Sequence, residues 1–141
     1  MFTSVSSRSA SAYKRVGIET SVDNADPHKL VVLLFDALQQ TLGSARAAIQ
    51  NGDVPGKCKH INHAVRIFEE GLIAPLNLQD GGELARNLHD LYTYCVQRLT
   101  IANIRSDAAI LEDLVDLARR AGELTLRHFR RFRDIEIGIK G

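Results

Sequence analysis

D-P-H-K-L-V-V-L-L-F-D, residues 26–36, decides the fold of this chain of 141 residues. Asp26 can accept from the free N–H groups of a helix's first turn, and Pro27 suits the first helical position, where its missing donor is not needed. Six apolar residues follow without a break, from Leu30 to Phe35. At roughly 100° per residue this run goes most of the way round a helix, whereas a surface helix needs an apolar stripe only about 100° wide. The helix therefore buries more than one side. Either it is the most enclosed rod of a bundle, or part of its surface awaits a partner.

Working outward, the same helix is expected to run from Pro27 to about Gln50, where Asn51, Gly52 and Asp53 supply a stop and a turn. Its apolar positions cover an arc of roughly 200°. Core burial explains Leu30, Leu34, Ala37 and Thr41; a single seam does not need Val31, Phe35, Leu38 and Leu42 as well. A second helix begins near Pro55 and Gly56 with Asp53 as its cap. Its apolar face is Cys58, Ile61, Ala64, Val65, Phe68 and Leu72, and Pro75 with the turn at 77–82 ends it. A third starts close to Gly82, with Leu84, Leu88, Leu91, Cys95, Leu99 and Ala102 as its seam. Tyr92 and Val96 form one flank, and Ile101 and Ile104 fall outside. Asp107 caps a fourth helix whose buried row is Ile110, Leu114, Leu117, Ala118, Ala121 and Leu124, expected to fray after His128.

Residues 1–25 read as a flexible arm, small and polar, yet carrying Tyr13, Val16, Ile18 and Val22. A purely solvating tail has little use for these four, so they are candidates to dock on the bundle. The arm is Ser-rich, with Arg8, Lys14 and Arg15 and no acid before Glu19, a composition shared with organelle transit peptides; a flexible arm is the preferred reading. Residues 129–141 are expected to be a tail, because Ile135, Ile137 and Ile139 alternate as in a strand that has no second strand to pair with. The organisation is thus an arm, a four-helix unit over 26–128 and a tail. Short connections between rods of about twenty residues imply an all-α, antiparallel, up-down-up-down four-helix bundle.

Composition sets the outer bounds. The hydrophobic and charged fractions, 45% and 25%, are those of an ordinary globular protein. A net charge of +1 gives no bulk field to attract nucleic acid or an anionic membrane. Cys58 and Cys95 fall on apolar helix faces without a C-x-x-C spacing, so they are expected to be buried free thiols rather than a disulfide or metal site. No run reaches the roughly 18–20 apolar residues of a membrane span.

Reactive groups do not cluster, so no enzyme and no cofactor is expected. His60 and His63 are the nearest approach to a ligand pair, but a di-metal bundle needs a Glu-x-x-His pair on each of two helices with further inward carboxylates. A histidine phosphotransfer bundle is the alternative function that these two residues keep open. The stretch R-H-F-R-R-F-R at 127–133 combines four arginines with two phenylalanines. Such a mix can bind nucleic acid, although basic residues at a helix C-terminus are also favoured by the helix dipole.

Three segments carry a family likeness: A-Y-K-R-V-G-I-E-T at 12–20, the opening eleven residues at 26–36, and N-L-H-D-L-Y-T-Y-C-V-Q-R-L-T-I-A-N at 87–103 with Asp107 just after. In order and spacing they resemble the flagellar secretion chaperone FliS family, from residue 12 to about residue 124. The resemblance implies a cytoplasmic chaperone that binds the disordered C-terminal segment of flagellin. It would prevent premature polymerisation and aid delivery to the flagellar type III export machinery. It implies no nucleotide or metal, no nucleic acid, no membrane insertion, and a monomer or weak dimer, with the export apparatus or flagellar regulators as further partners. Tyr13 matches the family's N-terminal tyrosine and is expected to help shape the client site. With that likeness in view, Tyr13, Val16 and Ile18 of the arm, Val31, Phe35, Leu38 and Leu42 of the first helix, and Tyr92 and Val96 of the third are the candidate partner-binding residues. For the helical positions a wide core is the competing reading.

Overall fold

The computed structural model of the chain describes the backbone of residues 27–140 and the side chains of residues 29–127. Asp26, the expected cap of the first helix, lies outside the described residues. So do Tyr13, Val16, Ile18 and the rest of the arm. Helix α1 spans Pro27–Gln50. It stops on a left-handed residue, Gly52 with φ +69°, which lets Gly52 N–H reach Ile49 O at 3.1 Å and Asp53 N–H reach Ala48 O at 2.8 Å. These two bonds satisfy carbonyls that the helix end would otherwise strand. The chain then turns straight into α2, Val54–Arg66, whose N-cap Asp53 accepts from Gly56 N–H at 3.0 Å.

α2 does not end as an α-helix. It continues through a π-helical stretch, Ile67–Ile73, closed by Ala74 N–H on Glu69 O at 3.0 Å. Gly71 explains how the wider turn fits: a Cβ there would lie 2.9 Å from a methyl of the buried Leu34 on α1. Helix α3 spans Gly82–Arg105 and ends on Ser106, left-handed at φ 50° although not a glycine. Lys57 holds this corner from α2, its Nζ donating to Asn103 O at 3.0 Å and to Ser106 Oγ at 2.8 Å. Asp107 Oδ1 then accepts from Ala109 N–H at 3.0 Å and starts α4, Ala108–Lys140.

The links of residues 51–53 and 106–107 are too short for anything but antiparallel neighbours. α1 packs against α2 and α4, and α3 packs against α4 and against α2 with its π-helical end, so the four helices close a ring around one core. Leu34, Leu38, Leu42, Ile61, Ile67, Phe68, Tyr92, Leu99, Leu111 and Leu114 are fully enclosed in it.

The expected core differs from the observed one at several positions, among them Ala37 on α1, Cys58 and Val65 on α2 and Leu117 on α4, which are only half-buried. On α3 the inward row runs through Leu88, Tyr92, Cys95, Leu99 and Ala102, leaving Leu84 and Leu91 half-buried. On α4, Leu111 and Thr125 are buried while Leu124 is 41% exposed, because the row that closes the ring is 111, 114, 118, 121, 125 rather than one ending at 124. Finally, α4 does not fray after His128 but stays helical to Lys140. His128, Phe132, Ile135 and Ile139 continue its three-and-four spacing, and that period prevails over the strand-like alternation of the isoleucines.

A candidate partner groove between α1 and α4

The ring arrangement settles where the apolar arc of α1 goes. With neighbours on two sides, the helix divides its roughly 200° between the interface with α2 and the interface with α4. Leu38 and Leu42 are completely enclosed, Tyr92 is 1% exposed, and Val31 and Phe35 keep only an edge at 5% and 6%. Val96 is half-buried against the core. The expectation of one open flank at Val31, Phe35, Leu38 and Leu42 and a second at Tyr92 is therefore corrected in favour of the wide core: these five side chains are buried within the chain.

An apolar opening remains one step further round. An open pocket of about 140 Å³ lies between α1 and α4, lined by Val32, Phe35, Ala118, Gly122 and Leu126 together with Asp36, Gln39, Arg119 and Glu123. At Gly122 a Cβ would stand 3.2 Å from the Phe35 ring, a tight contact that would push the ring back by a few tenths of an ångström, so the glycine lets the ring lie close to the α4 backbone. Val32 and Leu126 are half-buried and available to a second surface. The polar residues supply two carboxylates, one guanidinium and one amide. Sequence reading passed over Val32 because it sits in the middle of an unbroken apolar run. It passed over Gly122 because a helical glycine carries no apolar signal.

A buried polar pair joins α3 to α4 inside the core. Tyr92 stacks at a tilt on Phe68, ring centres 6.0 Å apart, and its hydroxyl meets Thr125 Oγ1 at 2.8 Å. Thr125 donates its single hydroxyl proton to Ala121 O at 2.8 Å, so Tyr92 is the donor to Thr125. Burial pushes the phenol up to about 12, with the Thr125 bond acting in the opposite sense, and burial alone pushes the Cys95 thiol to about 11. Both groups stay protonated and inert at neutral pH. Cys58 is half-buried and also a free thiol.

His60 and His63, the candidate ligand or phosphotransfer residues, are both half-buried on α2. His63 Nδ1 lies 3.4 Å from Thr41 Oγ1, which ties α2 to α1. Among the described residues no three His, Cys, Asp or Glu side chains are grouped so as to hold a metal, and no helix is long and apolar enough to cross a membrane.

Comparison with known proteins bears on this bundle directly. Residues 9–123 match the family described as flagellar protein FliS. The flagellar secretion chaperone FliS of Salmonella typhimurium is 39% identical over 112 residues, covering 79% of this chain and 83% of its own. The proteins of the same description from Vibrio cholerae and Escherichia coli K12 are 34% and 35% identical over 111 and 112 residues, each covering 79% of this chain and 81% and 82% of their own. The match spans all four helices and both walls of the groove as far as Gly122 and Glu123, and on that basis the chain belongs to the FliS family.

Proposed function

We propose that this protein is a cytoplasmic flagellar secretion chaperone, without catalytic activity, that holds the disordered C-terminal segment of flagellin until export. What carries the reading is membership of a family whose relatives are described as flagellar secretion chaperones, over residues 9–123. The groove between α1 and α4 offers such a client an apolar track with polar residues beside it, the form of helix-in-groove recognition. Ordering a disordered segment costs roughly 2–5 kcal/mol, and at about 25 cal/mol per Å² a few hundred Å² of apolar contact offsets it. The contact must therefore be long, and further surface on the bundle contributes.

In this reading Val32, Leu126 and the edges of Val31 and Phe35 meet the client. Leu38, Leu42, Tyr92 and Val96 hold the helices that shape the site, and Tyr13, Val16 and Ile18 of the arm border it. The test is titration calorimetry with a peptide of the flagellin C-terminal segment. Val32→Asp and Leu126→Glu each place a charge where an apolar side chain would be covered, worth about 1.5–3 kcal/mol, and so weaken binding at least tenfold while helical content stays at the wild-type level. Undiminished binding by both folded variants removes the groove from the client site, and no binding by the wild-type chain removes the chaperone reading.

A further inference from the structure

The core leaves a second apolar row unclaimed. On α3, Leu91, Tyr94, Arg98 and Ile101 follow one another about a third of a turn round from the buried row of Leu88, Tyr92, Cys95, Leu99 and Ala102. Tyr94 is 48% exposed, and Leu91, Arg98 and Ile101 are half-buried. On α4, Leu117 is half-buried and Leu124 is 41% exposed, two turns apart on one flank of that helix's buried row. The contacts show which way both rows face. α4 turns Glu112 and Gly122 towards α1, where they meet Arg46 at 3.6 Å and the Phe35 ring, so Leu117 and Leu124 lie on the other flank, towards α3. α3 turns Asn103 and Tyr92 towards α2 and its π-helical end, where they meet Lys57 and Phe68, so Leu91, Tyr94, Arg98 and Ile101 lie on its α4 side.

The hydrogen bond of Tyr92 to Thr125 and the short link at residues 106–107 fix one antiparallel register for the two helices. Leu91 is therefore level with Leu124, and Arg98 with Leu117. Side by side the rows form an outward-facing seam, about 15 Å long from Leu91 to Ile101 at 1.5 Å per residue. The spacing of three, four and three on α3 is that of a coiled-coil stripe, which one further helix covers. Arg98 stands in the middle of it, between Tyr94 and Ile101. Among the described residues it makes no hydrogen bond or ion pair, whereas Arg120, the other cation at the seam, is held by Asp116 at 2.9 Å. Asp113, level with Ile101, is exposed and does not pair with Arg98. Covering the stripe with apolar groups alone would strand the Arg98 charge; covering it with a carboxylate at that height would pair it through two N–H donors.

We propose that the α3–α4 seam docks an amphipathic helix of another protein, one that carries a carboxylate within its apolar face at the height of Arg98. Leu91, Tyr94, Ile101, Leu117 and Leu124 supply the apolar contact. Arg98 sets the register and selects against a helix with a cation at the facing position, the use that coiled coils make of one polar residue in an apolar stripe. Tyrosine and arginine are also the residue types on which interface energy concentrates, and Tyr94 and Arg98 hold the centre of the seam. The seam lies across α4 from the groove lined by Val32 and Leu126, so a client in the groove and a helix on the seam are held at the same time. The inference stands apart from the chaperone reading. A contact of about two heptads covers less than the roughly 1,000 Å² of a stable interface, so the dissociation constant is on the order of 0.1 mM.

Titration of the nitrogen-15-labelled full chain, followed by amide shifts, tests it. The probe is a synthetic helical peptide of about three heptads with leucine at the a and d positions and glutamate at the central a; a second peptide has lysine there. Up to about 1 mM, the glutamate peptide should shift the amides of Leu91, Tyr94, Arg98, Ile101, Leu117 and Leu124 and bind about tenfold more tightly than the lysine peptide. Arg98→Glu should reverse that preference, and Tyr94→Ser should weaken both peptides, with helical circular dichroism unchanged because neither side chain belongs to the enclosed core. Binding should persist with the flagellin C-terminal peptide present in excess. Equal affinity for the two peptides overturns the proposal, as does a preference that survives Arg98→Glu. So does the absence of binding, or shifts confined to the α1–α4 groove. Displacement of the probe from the seam by the flagellin peptide also overturns it, since the seam would then belong to the client's own track.

Discussion

Tyr92→Phe and Thr125→Val, made singly and together, read the polar pair at the centre of the bundle. Tyr92 is 1% exposed and donates to Thr125 Oγ1 at 2.8 Å, while Thr125 donates onward to Ala121 O at 2.8 Å. Tyr92→Phe removes a donor and leaves the Thr125 bond to its own helix intact, so it should cost about 1 kcal/mol. Thr125→Val keeps the shape but leaves the phenol O–H buried without an acceptor, at about 1–3 kcal/mol. The double variant has nothing left unsatisfied and should be close to wild type. The coupling is then about 2–4 kcal/mol in magnitude, read at pH 7 by urea unfolding followed through helical circular dichroism. Additive effects within about 0.5 kcal/mol, with Thr125→Val no worse than Tyr92→Phe, would refute the donor assignment. The pair also has a pH signature. The unfolded phenol ionises near 10 and the folded one at about 12, so the stability tied to the neutral form is fully present below pH 10 and is lost as pH rises through 12. The difference of about 2 between the two pKa values amounts to about 3 kcal/mol. Cys95 adds the same sign between 9 and about 11. Tyr92→Phe should therefore flatten the alkaline limb of the stability curve.

Two further substitutions probe the helix joints. Asp53→Ala deletes the side-chain acceptor for Gly56 N–H and should lower stability by about 1 kcal/mol in the same urea assay, leaving the groove and client affinity unchanged. Gly71→Ala puts a methyl 2.9 Å from the enclosed Leu34 and should cost about 1–3 kcal/mol by overpacking; an accompanying Leu34→Val change should recover part of that loss, which an effect of helix propensity alone would not allow.

Much of this architecture was legible because it rests on local chemistry. The boundaries at Gly52, Asp53, Ser106 and Asp107 follow from turn and cap residues acting within a few positions of themselves. Fold class followed from the three-and-four spacing of four segments joined by short links. The π-helical turn at Ile67–Ile73 was not legible, since nothing in I-F-E-E-G-L-I marks an inserted residue. The contact it carries, Gly71 against Leu34, spans 37 positions of sequence. Lys57 was likewise invisible: a lysine between apolar positions reads as solvated, yet its ammonium is held at a helix end from another helix. The length of α4 was misjudged because two periods overlap in its last turns, the strand-like one of Ile135, Ile137 and Ile139 and the helical one that the backbone follows.

The candidate site shows the limit most clearly, and the reason is geometric. A sequence reveals how wide the apolar arc of a helix is but not how many neighbours share it. Had α1 packed against one helix, Leu38 and Leu42 would lie on a free flank; with α2 and α4 both against it, those side chains become the centre of the molecule. The free surface then falls at the seam where one interface ends, with Gly122 on the opposite helix letting the Phe35 ring lie close to the α4 backbone. An apolar residue on α1 is therefore core or contact according to what stands across from it. Val32 and Phe35, three residues apart, illustrate both outcomes at the same groove: the first is half-buried and still available, and the second is covered except for an edge. The same reasoning governs α4. Its row of Leu111, Leu114, Ala118, Ala121 and Thr125 is interior because α1 and α3 stand beside it, whereas Leu124, one position before Thr125 on the same helix, is exposed.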